Sequence, residues 1–394
     1  MSAASTILFL CGSAEVGRDG VGDYTRRLAA GLLCRGVKVE LIATHDVHGD
    51  SIISERQPEH GTAVPVLRIP AGMSSLDRFA AIRRKVEAFR PDWISLQFVT
   101  YSFDERGLPW QFVTHLLRLA PQAKFEVMFH ELWLRHRPIT DLKGQLTGLL
   151  QRTIILRMLR GLRPEVVHTH IPINRAALEQ RSVEVLPLPL FANIGRIAGA
   201  TAEGTAKESG VYRVAFFSRM ESPPPVVASL RELADWCATQ NKQLEIALLG
   251  GGKARVAAAA EQIRKSVPAA RVLPVGFLSA EAVSAWLATC DLAISPIPRH
   301  SLGKSGTVAA FLEHGLPVIS PVVRVDTAPF FRDELNTYVL DRFDAVAAGN
   351  ARAAMARHPS VSENLQSITT RFMNDLGLVA APGTVVQDTA EKPH

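Results

Sequence analysis

The chain has 394 residues, 47% hydrophobic and 21% charged, with a formal net charge of +6. That length predicts two domains of about 200 residues each, and the even mixing of charge excludes a disordered, fibrous or strongly basic nucleic-acid-binding chain. Residues 1–190 hold 24 Lys/Arg against 19 Asp/Glu, so about +5 of the excess lies there, a mild bias that suits an anionic partner.

The N-terminal run has no basic segment and passes from a short apolar stretch into glycines, so STILFLCG reads as a first strand and not as a leader. A helix GDYTRRLAAGLLCRG, closed by Gly36, and a strand VKVELIAT follow. Between the first strand and this helix lie Gly17, Gly20 and Gly22. Their order, G-x-x-G-x-G, is not the dinucleotide fingerprint, and LIAT runs into His45 and Asp46 without the expected acidic close, which disfavours a nicotinamide enzyme. The glycines let backbone approach a ligand; the competing reading is an ordinary turn with Asp23 as helix cap.

A helix SLDRFAAIRRKVEAF, then strands WISLQFV, KFEVMFHE, EVVHTH and VEVLPLP complete a first set. EVVHTH puts His168 and His170 on one face, a geometry open to a metal, but no further ligand set accompanies them and no metal is expected. The helix over 143–163 combines Leu/Ile at helical spacing with Lys143, Arg152, Arg157, Arg160 and Arg163. It reads either as a peripheral contact with an anionic membrane surface or as a packed helix with solvated arginines. The four cysteines, Cys11, Cys34, Cys237 and Cys290, lack CxxC spacing, which argues against a disulfide framework and for a cytoplasmic protein.

Residues 191–210, rich in Ala, Gly and Thr, read as a linker, after which the alternation restarts: VYRVAFFSR, a helix, QLEIALLGGG, a helix to Val267, VLPVGFL, AEAVSAWLATC, DLAISPIP, GTVAAFLEHG, LPVIS. Strands alternating with helices in both halves predict two doubly wound, Rossmann-like α/β domains facing across a cleft. Gly303-Lys304-Ser305 imitates the end of a P-loop, yet Pro298 occupies the place of the loop's first glycine and has no N–H to offer a phosphate. What remains is a strand ending at Ile297, a loop with Arg299, Lys304 and Ser305, and a helix beginning near Thr307, whose N-terminus suits an anion. Ser305 or Thr307 acting only as an N-cap, with Lys304 solvated, is the alternative.

In order and spacing, GVGDYTRRLAAGLLCRG, VMFHELW, VLPLP, VAFFSRMES, LEIALLGGG, VLPVGFLSAEAVSAWLATCDLAISPIP and AFLEHGLPVIS resemble the GT-B glycosyltransferases, most closely the family-4 retaining group that uses nucleotide-diphosphate sugars. The resemblance runs from about residue 5 to about residue 372. It implies an acceptor-side domain over 1–190, the linker 191–210, a donor-nucleotide domain over 211–358, a C-terminal helix within 359–379 crossing back to the first domain, and a disordered tail over 380–394. It implies transfer of a sugar to a hydroxyl acceptor with retention and without a metal or other cofactor, in the cytoplasm or at the inner membrane face, with no nucleic-acid partner. His130 would hydrogen-bond the transferred sugar; a structural histidine is the other reading, since His130 and Glu131 point to opposite faces. Gly20, Val21 and Gly22 would approach the donor, Arg219 and Lys304 would meet the diphosphate with Arg299, and Gly276 and Phe277 would hold the nucleobase. Ser305, Gly306 and Thr307 would offer donors to the phosphates. The sequence departs from the family pattern in two places. Glu221 and a proline run replace the lysine that follows the arginine, and Leu302 and Ala310 stand where paired glutamates belong. A sugar-nucleotide-binding protein without activity and a sugar-nucleotide epimerase on the same fold are the alternatives.

Overall fold

Parallel strands expose backbone hydrogen-bonding groups only to neighbouring strands, so both faces of such a sheet must be covered by helices, and its strands can be apolar throughout. The chain meets that condition twice. The computed structural model describes residues 4–59, 61–119, 122–135, 140–357 and 364–380; the tail expected over 380–394 lies, from 381 on, outside the described residues. Contacts divide the chain into a first unit, 1–169, 174–188 and 365–394, and a second unit, 170–173 and 189–364.

The first unit begins with β1 (Thr6–Cys11), α1 (Gly20–Leu33), β2 (Lys38–Asp46), β3 (Ile53–Glu59), β4 (Thr62–Pro70) and α2 (Ser75–Phe89). It continues with β5 (Trp93–Phe98), α3 (Thr100–Phe103), α4 (Trp110–Leu117), β6 (Lys124–Phe129), α5 (Leu142–Leu162), β7 (Val166–Thr169), α6 (Pro172–Glu179) and β8 (Leu186–Pro187). The sheet runs β3-β4-β2-β1-β5-β6-β7-β8 and is parallel except for the β3/β4 hairpin, which the sequence reading left out. β1 is central, with Ile7 to Cys11 wholly buried between β2 and β5. The Ser74 hydroxyl starts α2 by accepting from the Asp77 amide, and Arg90 ends it in the left-handed region just before Pro91.

The second unit holds β9 (Val211–Phe217), α7 (Pro224–Thr239), β10 (Gln243–Leu249), α8 (Lys253–Ser266), β11 (Arg271–Gly276), α9 (Ala280–Ala288) and β12 (Leu292–Ile294). A 3₁₀ turn (Arg299–Lys304), α10 (Gly306–Glu313), β13 (Val318–Ile319), α11 (Asp333–Asn336), β14 (Val339–Leu340) and α12 (Ala345–Arg357) follow. The strand order β11-β10-β9-β12-β13-β14 is parallel throughout. Apolar layers pack on both faces, one around Phe311, Trp286 and Leu302, the other around Phe216, Leu230 and Ile263. Residues 191–210 are fastened to this unit: Arg213 donates to the carbonyls of Thr205 and Ala206, and the Ile197 amide donates to Ser284.

The last helix, α13 (Leu365–Leu376), packs on the first unit against α1. Phe372 is fully buried and stacks on Phe9 with ring centroids 6.0 Å apart, while Arg35 holds the Gln366 carbonyl and the Thr370 hydroxyl. Among the described residues no helix is long and apolar enough to cross a membrane. Truncating Phe372 to Ala removes a ring that nothing else can replace, and urea unfolding of the first unit should register a loss of about 3–5 kcal/mol.

Candidate functional site

In the first unit the Asp19 carboxylate accepts from the Gly22 amide at 2.6 Å and so starts α1 at Gly20. This corrects the sequence reading. Gly20, Val21 and Gly22 form the first helical turn and not a loop, and Asp23 is not the cap; it accepts from Gly17 N and pairs with Arg26. Burial raises the pKa of Asp19, against the hydrogen bond from Gly22. The three residues differ in role. Gly22 is buried, and a Cβ there would lie 2.4 Å from the Ser13 carbonyl oxygen, whereas a Cβ on exposed Gly20 would meet nothing within 4 Å. Gly20 is therefore the open approach and Gly22 a packing requirement.

His130 follows the end of β6, its amide bonded to the Phe98 carbonyl of neighbouring β5. The ring is 7% exposed, stands edge-on to Tyr24 of α1 at 5.0 Å between centroids, and places Nε2 2.9 Å from Gln97 Oε1. Tyr24 thus brings His130 beside the helix that opens at Gly20. Neither Tyr24 nor Gln97 was singled out from the sequence, although Gln97 inside the apolar run WISLQF was a visible polar exception. His168 faces carboxylates and not a shared site with His170. It lies between Glu126 and Asp375, and no group of three or more His, Cys, Asp or Glu among the described residues is arranged to hold a metal.

In the second unit the expected donor residues leave the carboxyl ends of β9, β11 and β12. Arg219, two residues past β9, is 62% exposed in its side chain and 3.6 Å from Glu221, which also binds Arg255 of α8 at 2.8 Å. Arg255 was missed, although its position in GGGKAR, a glycine run leading into a basic helix start, was a legible signal. The Gly250 amide donates to the Gly276 carbonyl at 2.6 Å, joining the loops after β10 and β11. Gly276 has φ +82°, a conformation that favours glycine, and the next residue, Phe277, is 86% exposed.

The stretch around Lys304 differs from expectation in three respects. β12 stops at Ile294, not Ile297, because Pro296 and Pro298 have no N–H for the ladder. Arg299 to Lys304 coil into the 3₁₀ turn, and α10 begins at Gly306 with Ser305 as N-cap, its hydroxyl accepting from the Val308 amide at 3.3 Å. That contact uses the hydroxyl's lone pair and not its proton. Thr307 and Lys304 are half-buried, Gly306 is buried, and the Arg299 amide bonds Val322. Beside Ser305 the walls include Leu302, Leu312, Phe330 and Leu335 and leave only about 30 Å³, room for water and not for a nucleotide. Leu302 and Ala310, where the sequence resemblance implies glutamates, are fully buried in the apolar layer, and Glu313 accepts from the Arg196 amide.

No protein-family model matches the sequence, and no curated protein matches it. Solved structures do. The alpha,alpha-trehalose-phosphate synthase (UDP-forming) of Burkholderia xenovorans, in complex with glucose-6-phosphate, superposes with a TM-score of 0.59 at 9% identity over 95% of this chain and 100% of that one. The O-GlcNAc transferase of Thermobaculum terrenum gives 0.52 at 12% identity over 95% and 67%. A protein described as a candidate UDP-N-acetylglucosamine 2-epimerase of Listeria monocytogenes gives 0.52 at 10% over 95% and 96%. At such identities the likeness establishes the fold: two Rossmann-like domains of the GT-B class.

Gly306 has no room for a side chain unless Asn193 moves. A Cβ there would fall 1.8 Å from Asn193 Oδ1, and the Gly306 carbonyl is pinned by the Asn193 amide. Gly306→Ala should cost about 1–3 kcal/mol in urea unfolding, with recovery when Asn193→Ala is added.

Proposed function

We propose that the protein is a glycosyltransferase that takes a sugar from a nucleotide-diphosphate donor to a hydroxyl acceptor. The observation that supports this reading is topological: Arg219, which shares Glu221 with Arg255, follows the carboxyl end of β9, and the Lys304 turn comes after the carboxyl end of β12, the neighbour of β9. Cations and a helix N-terminus after those strand ends match a diphosphate, and in open α/β sheets ligands bind outside the carboxyl ends of strands. Phe277 offers an open ring face to a nucleobase. As the donor bond breaks, negative charge grows on the departing diphosphate; Arg219, Lys304 and the amides of α10 meet it without a metal as fixed electrostatics. In the first unit, His130 and the backbone at Gly20 serve the sugar. Retention follows where the acceptor hydroxyl attacks from the leaving-group face and gives its proton to a phosphate oxygen. The family-4 affiliation belongs to this proposal, with donor recognition altered at Leu302 and Ala310.

Epimerisation of a nucleotide sugar is the second reading, favoured by the structural likeness to the Listeria protein. Incubation with a panel of nucleotide sugars separates the two. Nucleotide release that depends on an acceptor supports transfer, and a changed sugar with no acceptor supports epimerisation. Arg219→Ala and Lys304→Ala should each weaken donor binding by about tenfold in calorimetry. If several donors bind and neither substitution weakens them, the assignment of the diphosphate site is wrong.

The acceptor side of the proposal includes contact with an anionic membrane surface. On α5, Leu142, Leu146 and Leu149 are 73%, 59% and 48% exposed and fall on one helical stripe, with Lys143, Arg157 and Arg160 also exposed. Replacing the three leucines with Asn should lower cosedimentation with phosphatidylserine-containing vesicles by about tenfold. Equal binding by the variant and the parent would remove this helix from the proposal.

A further inference from the structure

Behind His130 a line of polar side chains crosses the interior of the first unit. Asp375 Oδ2 of α13 lies 3.1 Å from His168 Nε2, and His168 Nδ1 lies 3.0 Å from Glu126 Oε1. The Ser95 hydroxyl is 2.5 Å from Glu126 Oε2, Gln97 Nε2 is 2.7 Å from Ser95 Oγ, and Gln97 Oε1 is 2.9 Å from His130 Nε2. Ser95 and Glu126 are register partners on β5 and β6, Gln97 stands two residues along on the same face as Ser95, and His168 comes from β7. Ser95, Gln97, Glu126 and His168 are all 0% exposed, and Phe372 of α13 packs beside the His168 ring at 5.8 Å.

Such a line is expensive in the interior of a largely apolar sheet. Each buried polar atom costs several kcal/mol unless it is partnered, and valines at these positions would serve the fold as well. Its hydrogen bonds, moreover, can run in only one sense. Both ring nitrogens of His168 face carboxylate oxygens, which accept, so the ring donates through both and carries the positive charge. Burial by itself would lower the pKa of His168, but the hydrogen bonds it donates to Asp375 and Glu126, and then their charges, outweigh it and raise it. Ser95 has one proton and gives it to Glu126, so it can only accept from the Gln97 amide nitrogen. That turns the Gln97 carbonyl towards His130, which must donate from Nε2. Whenever the ring is neutral, its lone pair is then on Nδ1.

We infer that Glu126, anchored by His168 and Asp375, fixes the tautomer and orientation of His130 through Ser95 and Gln97, and that these five are positioning residues for it. The inference rests on the proposed role of His130 in the reaction, but its test does not. The histidine tautomers are read by nitrogen NMR on the full chain labelled at histidine, with the His130 signals identified by their loss in His130→Gln. The parent should show one His130 form, with Nε2 protonated and Nδ1 bare. In Ser95→Ala and in Glu126→Gln the relay is cut, Gln97 is released to turn, and the bare-nitrogen signal should be shared between Nδ1 and Nε2. Ser95→Thr keeps the hydroxyl and should keep the single form. Should Glu126→Gln fail to fold, the two Ser95 variants decide. A parent protonated at Nδ1, or a folded Ser95→Ala indistinguishable from the parent, overturns the inference. Tautomer changes as expected in a chain that neither binds nor turns over any nucleotide sugar would leave the relay standing and sink the proposed function instead.

Discussion

A parallel strand covered by helices on both faces has only its ends open, and this constraint governs where chemistry can be placed in both halves of the chain. β1 and β5 are buried along their whole lengths or nearly so, and what leaves their carboxyl ends and that of β6 is the Gly20 helix start and His130. In the second unit Arg219, Gly276 and the Lys304 turn leave β9, β11 and β12 in the same way. The residues that matter are far apart in sequence because successive strands end at one edge of a sheet, so each βα unit contributes one short segment there.

Electrostatics then separates the two units. At the second sheet's edge Arg219 and Arg255 are exposed, and Glu221 is shared between them. Exposed pairs of that kind contribute little to stability, which leaves the arginines able to exchange a side-chain partner for a phosphate at small cost. The first unit instead buries its charge. Glu126 and His168 have no solvent, so their geometry is set wholly by their partners, and the order of donors and acceptors is transmitted without slack to His130.

Leu302 and Ala310, where the sequence resemblance implies glutamates, show what this fold places there instead. Leu302 and Ala310 are not gaps; both are completely buried, packed with Phe311 and Leu316. A carboxylate placed there would lose its hydration inside an apolar layer. Glu313, three residues on from Ala310, is occupied by the backbone of the segment after β8 and holds the Arg196 amide. The same stretch that imitates a P-loop is thus organised by Pro298, which starts the 3₁₀ turn, and by Asn193, whose side chain occupies the space beside Gly306.

Alternating apolar runs and helical periods were enough to read two doubly wound domains, because burial on both faces of a parallel sheet leaves its mark on every strand. Arg219 was marked out in the sequence because it comes two residues after β9, whereas Gly20 and Lys304 are separated from β1 and β12 by longer loops. The β3/β4 hairpin was not legible, as its outer strand alternates weakly and includes Pro58. Nor was the α1 boundary, where Asp19 and Asp23 are equivalent as letters and only the Asp19 to Gly22 contact distinguishes them. The sequence by itself determined the strand order of chemistry along each half, through hydrophobic period and turn residues. Only the tertiary structure decided that Ser95, Gln97, Glu126, His168 and Asp375 form one line behind His130. Those residues are up to 280 positions apart, from 95 to 375, and nothing but the pairing of β5, β6 and β7 under α13 brings them within hydrogen-bonding distance.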